Sequence, residues 1–299
     1  YGQEFFQAYV DFLNRDSTFF DAMVTKYNLE AALVSMAHSD PPLVLKHMYE
    51  HPQWVLVFLD KNAVIFLKNI PAHQELIKKY KIDLNSYVPP QVILKELGIR
   101  QVYPQEYMKR AALFNILEKD DLVIQECRLA LSIMPDCAEA YHLMGKAYLR
   151  KKMYQEAHDS LRVALLFIPG SAEALVDLGA SLKELREYPY ALRTLKRAIR
   201  MSPGHAPAYY LLANVYLASN SEDEAINALY SAIKYSPKVA RAHFKLGELL
   251  FEKAKRHKDK SVMRKAKETL TQALNLCGSG DRELRSEIEN KLKEAENAQ

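Results

Sequence analysis

The chain has 299 residues, is 49% hydrophobic and 26% charged, and sets 41 Lys and Arg against 37 Asp and Glu for a formal charge of +4. That length suits about two domains, and the charge balance is too mild to argue for nucleic acid. The three cysteines (Cys127, Cys137, Cys277) make neither an even disulfide framework nor a metal-binding spacing.

Taken in order, the segment 1–85 alternates helical and strand patterns. Gly2–Leu13 and Thr18–Lys26 carry apolar residues at helical spacing. Leu29–Met36 reads as a buried strand. Asp40, as a cap, and Pro41-Pro42 open a helix that runs to about Glu50. Trp54–Leu59 and Ala63–Leu67 are two β-rich runs around Asp60, Lys61 and Asn62, which predicts a hairpin, and Ala72–Lys79 predicts a last short helix. This order implies a small α/β layer domain over 1–85.

Residues 86–103 read as a linker in which Pro89-Pro90 makes a stiff extended step. Val92–Leu97 then forms a short helix stopped by Gly98 and packed on the helical region after it. From Pro104 the pattern changes. Pro135, Pro169, Pro203 and Pro237 recur at a constant step of 34. Small residues keep the same step: Gly145, Gly179, Ala213 and Gly247, then Ala157, Ala191 and Ala225, then Ala164, Ala198 and Ala232. Each unit holds two apolar helical stripes, such as Tyr141, Met144, Tyr148 and Ala157, Leu161, Ala164. The closing proline cannot continue a helix. One such pair cannot bury its own apolar face, so neighbours must stack.

A fixed period of 34 with these small residues resembles the tetratricopeptide repeat. The resemblance implies a mainly α fold, an α-solenoid wound as a right-handed superhelix over 104–280, preceded by the small α/β domain. Five units are read: Pro104–Cys137, Ala138–Ser171, Ala172–His205, Ala206–Val239 and Ala240–Gly280. The first is degenerate, with Arg110 where Met144 and Leu178 sit later. The fifth holds about seven extra residues, Lys-rich at Lys253, Lys255, Arg256, Lys258 and Lys260, which extend its first helix or its turn. Asp281–Ala298, within the segment 281–299, is a charged helix with Leu284, Ile288, Leu292 and Ala295 on one face, expected to cap the last unit.

A second resemblance lies in the first segment. Tyr1, Gly2, Phe5 and Phe6, the run Tyr27–Leu33, the run His51–Asp60 and the run Ala63–Lys68 look like the soluble module that follows the membrane helices of bacterial multi-spanning glycosyltransferases of the mannosyltransferase type. That resemblance implies a non-catalytic, extracytoplasmic tail, whose membrane association would come only from a region preceding Tyr1. No apolar run here approaches the ~18 residues of a membrane span, and no signal peptide opens the chain. Since the chain starts at Tyr1 without a methionine, it is expected to be a piece of a longer protein. The alternative is a freestanding cytoplasmic adaptor.

Catalytic signatures are sparse. His47, Glu50 and His51 match H-x-x-E-H, in which two histidines four apart can share a metal and Glu50 can act as base. Pro52 breaks the helix just after His51, and no acidic third ligand presents itself on a following helix. The expectation is therefore a helix end with histidines near its negative pole, with no metal, no cofactor and no catalytic residue. Asp120-Asp121 reads as a solvated turn, and the 253–260 insertion as a solvated helix end.

The tetratricopeptide resemblance further implies that first helices line a concave face. His142, Lys146, Leu149, Tyr210, Asn214, Leu217, Phe244 and Phe251 are the expected groove residues, with an apolar wall formed by Tyr210, Leu217, Phe244 and Phe251. The family's chaperone-binding members follow a lysine by asparagine four residues on, a pair that the groove positions of this chain never make. Core packing is the other reading of Tyr210 and Phe244. The expected function is a non-enzymatic scaffold that takes a protein or peptide into the groove.

Overall fold

A computed structural model describes residues 17–35, 44–60, 63–88, 104–278 and 281–297. The expected helix at 2–13, the Asp40 cap and the short helix at 92–97 lie outside them. The chain divides into two compact units, Tyr1–Lys152 and Met153–Gln299.

The first unit begins with α1 (Ser17–Tyr27), β1 (Ala31–Ser35), α2 (Val44–Glu50), β2 (Trp54–Leu59) and β3 (Ala63–Lys68). A 3-10 turn at Pro71–His73 then leads into α3 (Gln74–Tyr80). The strands form one antiparallel sheet in the order β1-β3-β2, with Ala31 opposite Leu67 and Trp54 opposite Lys68. Val64 and Phe66 of central β3 are fully buried, and Trp54 and Leu56 of β2 lie on the same side. Strict alternation would then bury Phe58. A bulge between Leu56 and Phe58 changes the phase instead, so Leu59 is buried and Phe58 is 43% exposed. The Asp60 carboxylate accepts from the Ala63 amide at 2.8 Å and closes the hairpin without glycine. Helices α2 and α3 both pack on β2.

β1 corrects the expectation of a buried strand. It pairs only with β3, on the sheet's edge, and of its five residues only Val34 is buried while Leu33 is 66% exposed. A run of apolar letters does not distinguish an edge strand from a central one.

The unit continues with α4 (Gln105–Ile116), α5 (Asp120–Ile133) and α6 (Ala138–Arg150). The sheet module docks on the first of these turns. Lys119 reaches Asn85 Oδ1 at 3.2 Å and lies over the Tyr49 ring, Lys46 pairs with Glu118, and the Tyr87 ring meets Phe114. Arg110 is 5% exposed, and its Nε and Nη2 donate to Glu126 Oε2 at 3.0 and 2.8 Å. Its guanidinium also lies over the Tyr107 ring. Burial pushes the Glu126 carboxyl above its ordinary pKa, and the Arg110 hydrogen bond only partly offsets this. The degenerate letter at 110 is thus half of a buried ion pair.

Asp120 and Asp121 open α5, where carboxylates favour the positive helix end. Asp120 is also held by Arg150, at 2.7 Å from its Nε, and Lys151 pairs with Asp121. The Asp120 side chain is only 15% exposed and ties α5 to α6, whereas that of Asp121 is 86% exposed, as a solvated position would have it. Cys127 is fully buried, as expected of a core residue, and burial pushes its thiol far up.

The second unit holds α7 (Tyr154–Phe167), α8 (Ala172–Glu184), α9 (Tyr188–Met201), α10 (Ala206–Ala218), α11 (Glu222–Tyr235), α12 (Ala240–His257), α13 (Lys260–Leu276) and α14 (Arg282–Asn297). Ten consecutive helices, α4 to α13, therefore fill 105–276, and each of the four prolines stands two residues beyond a second helix. The second helices bury one stripe each: Ala157, Leu161, Ala164; Ala191, Leu195, Ala198; Ala225, Leu229, Ala232; Ala266, Leu270, Ala273. Their i, i+4, i+7 spacing puts them on a single helical face. A Cβ on Gly179 would sit 2.7 Å from Leu195 Cδ2, and one on Gly247 would sit 2.7 Å from Leu270 Cγ. Only glycine lets these helices approach so closely.

Turns within the pairs share one backbone device. Glu118, Lys152, Arg186 and Asn220, which keep the repeat's own step, have φ between 53° and 62°, and Lys258 follows at 52°. After α4, α8, α10 and α12 the next amide reaches back five residues, as in Glu187 N–H to Leu182 O at 2.8 Å. The fifth pair spreads its extra residues over both helices: α12 has 18 residues against 13 in α10, and α13 has 17 against 14 in α11. Helix α14 buries Leu284, Ile288 and Ala295 and packs on α12 and α13.

Candidate partner-binding groove

Helical spacing selects the groove side chains. On α10, Tyr210, Asn214 and Leu217 recur at i, i+4 and i+7. On α12, Arg241, Phe244, Lys245 and Glu248 stand at i, i+3, i+4 and i+7 in the next repeat. With Lys183 at the end of α8 they form one wall of an open cavity of about 1030 Å³. The opposite wall is α14, through Glu283, Leu284, Glu287 and Lys291. Tyr210, Asn214 and Leu217 are half-buried, so their outer edges face the cavity.

The two phenylalanines behave differently. Phe244 lines the cavity but is only 9% exposed, and Phe251 is 2% exposed. Lys291 covers Phe251, with its ammonium 5.0 Å from the ring centre. That ammonium is anchored by Glu252 at 3.0 Å and Glu294 at 3.1 Å. Burial alone would lower the Lys291 pKa, but those two hydrogen bonds outweigh it and hold the group above its ordinary value. Phe251 is therefore packing beneath the capping helix, not an open part of the wall.

His142, Lys146 and Leu149 lie on α6 in the first unit, half-buried on one helical face. They are not among the residues lining the cavity. Sequence reasoning missed the whole α14 wall. The only signal for it was the charged face of 281–298, which reads equally well as a solvated surface.

Charge on the cavity walls is nearly balanced, and most of it is paired. Lys183 holds Glu184 at 2.5 Å, Lys245 holds Glu248 at 3.1 Å, and Arg241 lies 3.9 Å from Asp281. Glu283 and Glu287 have no ion-pair partner among the described residues. The wall therefore offers an apolar and amide strip on α10 facing two unengaged carboxylates on α14.

Residues 182–243 match the model of the tetratricopeptide repeat. The fold is similar to a crystal structure described as TTC0263, a thermophilic tetratricopeptide-repeat protein of Thermus thermophilus. Identity is 20%, 64% of this chain and 99% of that one are covered, and the TM-score is 0.53. It is similar as well to residues 41 to the end of MamA from Desulfovibrio magneticus RS-1, with 22% identity, 60% and 97% covered, and a TM-score of 0.50. No curated protein matches the chain. The family match lies wholly in the second unit and in the repeats, and the comparisons give no support to a glycosyltransferase module in the first segment. Among the described residues no helix is long and apolar enough to cross a membrane.

Proposed function

We propose that this array of tetratricopeptide-type helix pairs is a non-enzymatic scaffold whose groove between α10, α12 and α14 takes a peptide segment of a partner protein. The open cavity of about 1030 Å³, walled by a half-buried aromatic and an asparagine, carries the reading. Tyr210 supplies apolar area at low entropic cost, and Asn214 can bond a peptide backbone. The unengaged Glu283 and Glu287 favour a segment with an apolar anchor beside a basic residue. Tyr210→Ala and Asn214→Ala are expected to lose capture of the partner from the native host while the thermal midpoint stays within a few degrees, because both side chains are only half-buried. Early unfolding of both variants, or capture persisting in both, would move the recognition surface elsewhere. Phe244 and Phe251 serve as the contrast, since truncating them should cost stability first.

A finer reading concerns context. The resemblance of Tyr27–Leu33, His51–Asp60 and Ala63–Lys68 to the soluble module of bacterial mannosyltransferase-type enzymes supports a place as the extracytoplasmic tail of such an enzyme. The hairpin and edge strand formed by these segments are compatible with it. In that setting the groove recruits a protein to a membrane-bound sugar transferase. Reporter fusions along the full-length parent test it: several apolar spans before residue 1 with the repeats outside the cytoplasm support the tail, and a parent without spans leaves the freestanding adaptor.

A further inference from the structure

The H-x-x-E-H histidines gain in the folded chain the acidic partner that the sequence did not offer. It comes from the helix before them. Asp21 of α1 places Oδ1 3.5 Å from His47 Nε2 and 3.7 Å from His51 Nε2. The three side chains can bring their ligand atoms within 4.8 Å of one another. Phe20, fully in the core, meets the His47 ring edge-on at 5.5 Å, and the two histidine rings meet each other at the same distance. The histidine side chains are 26% and 22% exposed, and Asp21 is 54% exposed, which leaves a path for solvent.

From this geometry we propose that Asp21, His47 and His51 form a site for a divalent transition metal of the zinc class, which clips α1 to the end of α2. The donor set, two imidazoles and one carboxylate, suits zinc and its late first-row neighbours and leaves a coordination position for water. The spacing is compatible with shared ligation after small side-chain rotations. Two donors sharing a tetrahedral zinc at bonds of about 2.0–2.1 Å stand roughly 3.3–3.4 Å apart, whereas a charge-assisted N–H···O bond closes to about 2.7–2.9 Å. The observed 3.5 and 3.7 Å are longer than such a bond and within a few tenths of an ångström of the shared-ligand spacing.

One local bond must yield. The Gln53 amide N–H donates to His51 Nδ1 at 3.2 Å, which leaves the proton of the neutral ring on Nε2. Metal entry at Nε2 moves that proton to Nδ1 and releases the amide of exposed Gln53 to water. Pro52, which ends the helix after Glu50, does not carry His51 out of reach. Glu50, the base of the motif, lies 3.9 Å from Lys46 and is exposed. The proposed site is accordingly a clip, in which Glu50 takes no part.

The test is calorimetric titration of the purified chain with zinc and cobalt, after chelator treatment, together with melting curves. The expected result is one ion per chain, a raised midpoint with metal, and affinity that falls as the pH drops below the ordinary histidine value of about 6.5. Asp21→Asn, His47→Ala and His51→Ala should each weaken binding at least about tenfold, the lower end of what even supporting residues cost, and Glu50→Gln should leave it unchanged. Asp21→Asn guards the inference against misfolding, because that side chain is exposed and its chelated midpoint should equal the wild type's. Absence of stoichiometric binding with zinc in excess of the chain overturns the proposal. So does binding that survives in both Asp21→Asn and His51→Ala.

Discussion

Phe66, in the middle of β3, is flanked by β1 on one side and β2 on the other and lies over the core that α1 and α2 share. Leu229, just as completely buried on α11, sits in an array where helices touch their neighbours and little else. The sheet module closes one core from residues far apart in sequence, while the repeats build theirs from contacts that return with every helix pair. One design spreads a local injury through a whole module and the other confines it.

The contrast yields a test at the largest scale. Phe66→Ala should cost about 3–5 kcal/mol and Leu229→Ala about 2–5 kcal/mol. In hydrogen exchange, Phe66→Ala should loosen β2, β3 and α2 together, whereas Leu229→Ala should loosen chiefly α10 and α11. Equally broad loss from both would erase the distinction.

Arg110→Met probes the first helix pair, where the regular letter is absent. Alone it should cost about 3–5 kcal/mol at neutral pH by leaving Glu126 buried and unpaired. Without the guanidinium, the Glu126 pKa rises further above its ordinary 4.5. A carboxyl whose folded pKa exceeds its unfolded one keeps its stability below the unfolded value and loses it as the pH climbs. The variant should therefore approach wild-type stability as the pH is lowered toward 4.5. Adding Glu126→Ser, the residue found at 160, should restore stability at neutral pH. Melting midpoints across pH check both outcomes.

Gly247→Ala is the smallest of the three. The added Cβ meets Leu270 side-chain carbons at 2.7 Å and the Leu270 backbone nitrogen at 3.3 Å. The cost should be about 1–3 kcal/mol and should disappear in part with Leu270→Ala, the signature of a direct clash in a double-mutant cycle.

Much of the repeat region was legible because its determinants are local and recur. Prolines, small residues and the i, i+4, i+7 stripes each act within one helix pair, and the helices begin and end where those letters place them. The second helix stripe of the fifth pair could be followed through its insertion from Ala266 alone. What sequence did not reveal depended on partners distant in the chain. Arg110 reads as degeneracy until Glu126 is seen against it, and Asp21 reads as a helix surface until α2 folds beside it. Phe251 reads as open wall until Lys291 closes over it, since the face of α14 is visible in the letters but its landing place is not. In the sheet, the Leu56–Phe58 bulge breaks the alternation by one residue, and the apolar letters alone do not fix that position.

The left-handed turns have a consequence for how such a chain lengthens. None of Glu118, Lys152, Arg186, Asn220 or Lys258 is glycine, so the turn is imposed by main-chain hydrogen bonds at a local cost of about 1 kcal/mol. A turn written in the backbone can slide. Lys258 follows Asn220 at a step of 38 instead of 34, close to one extra helical turn, and it adopts the same φ. Material added before it leaves the apolar face in phase, with Phe251 and Ala254 both buried. The hairpin has migrated along the chain without a dedicated residue, so insertions of whole helical turns are accommodated here by relocation of the bend.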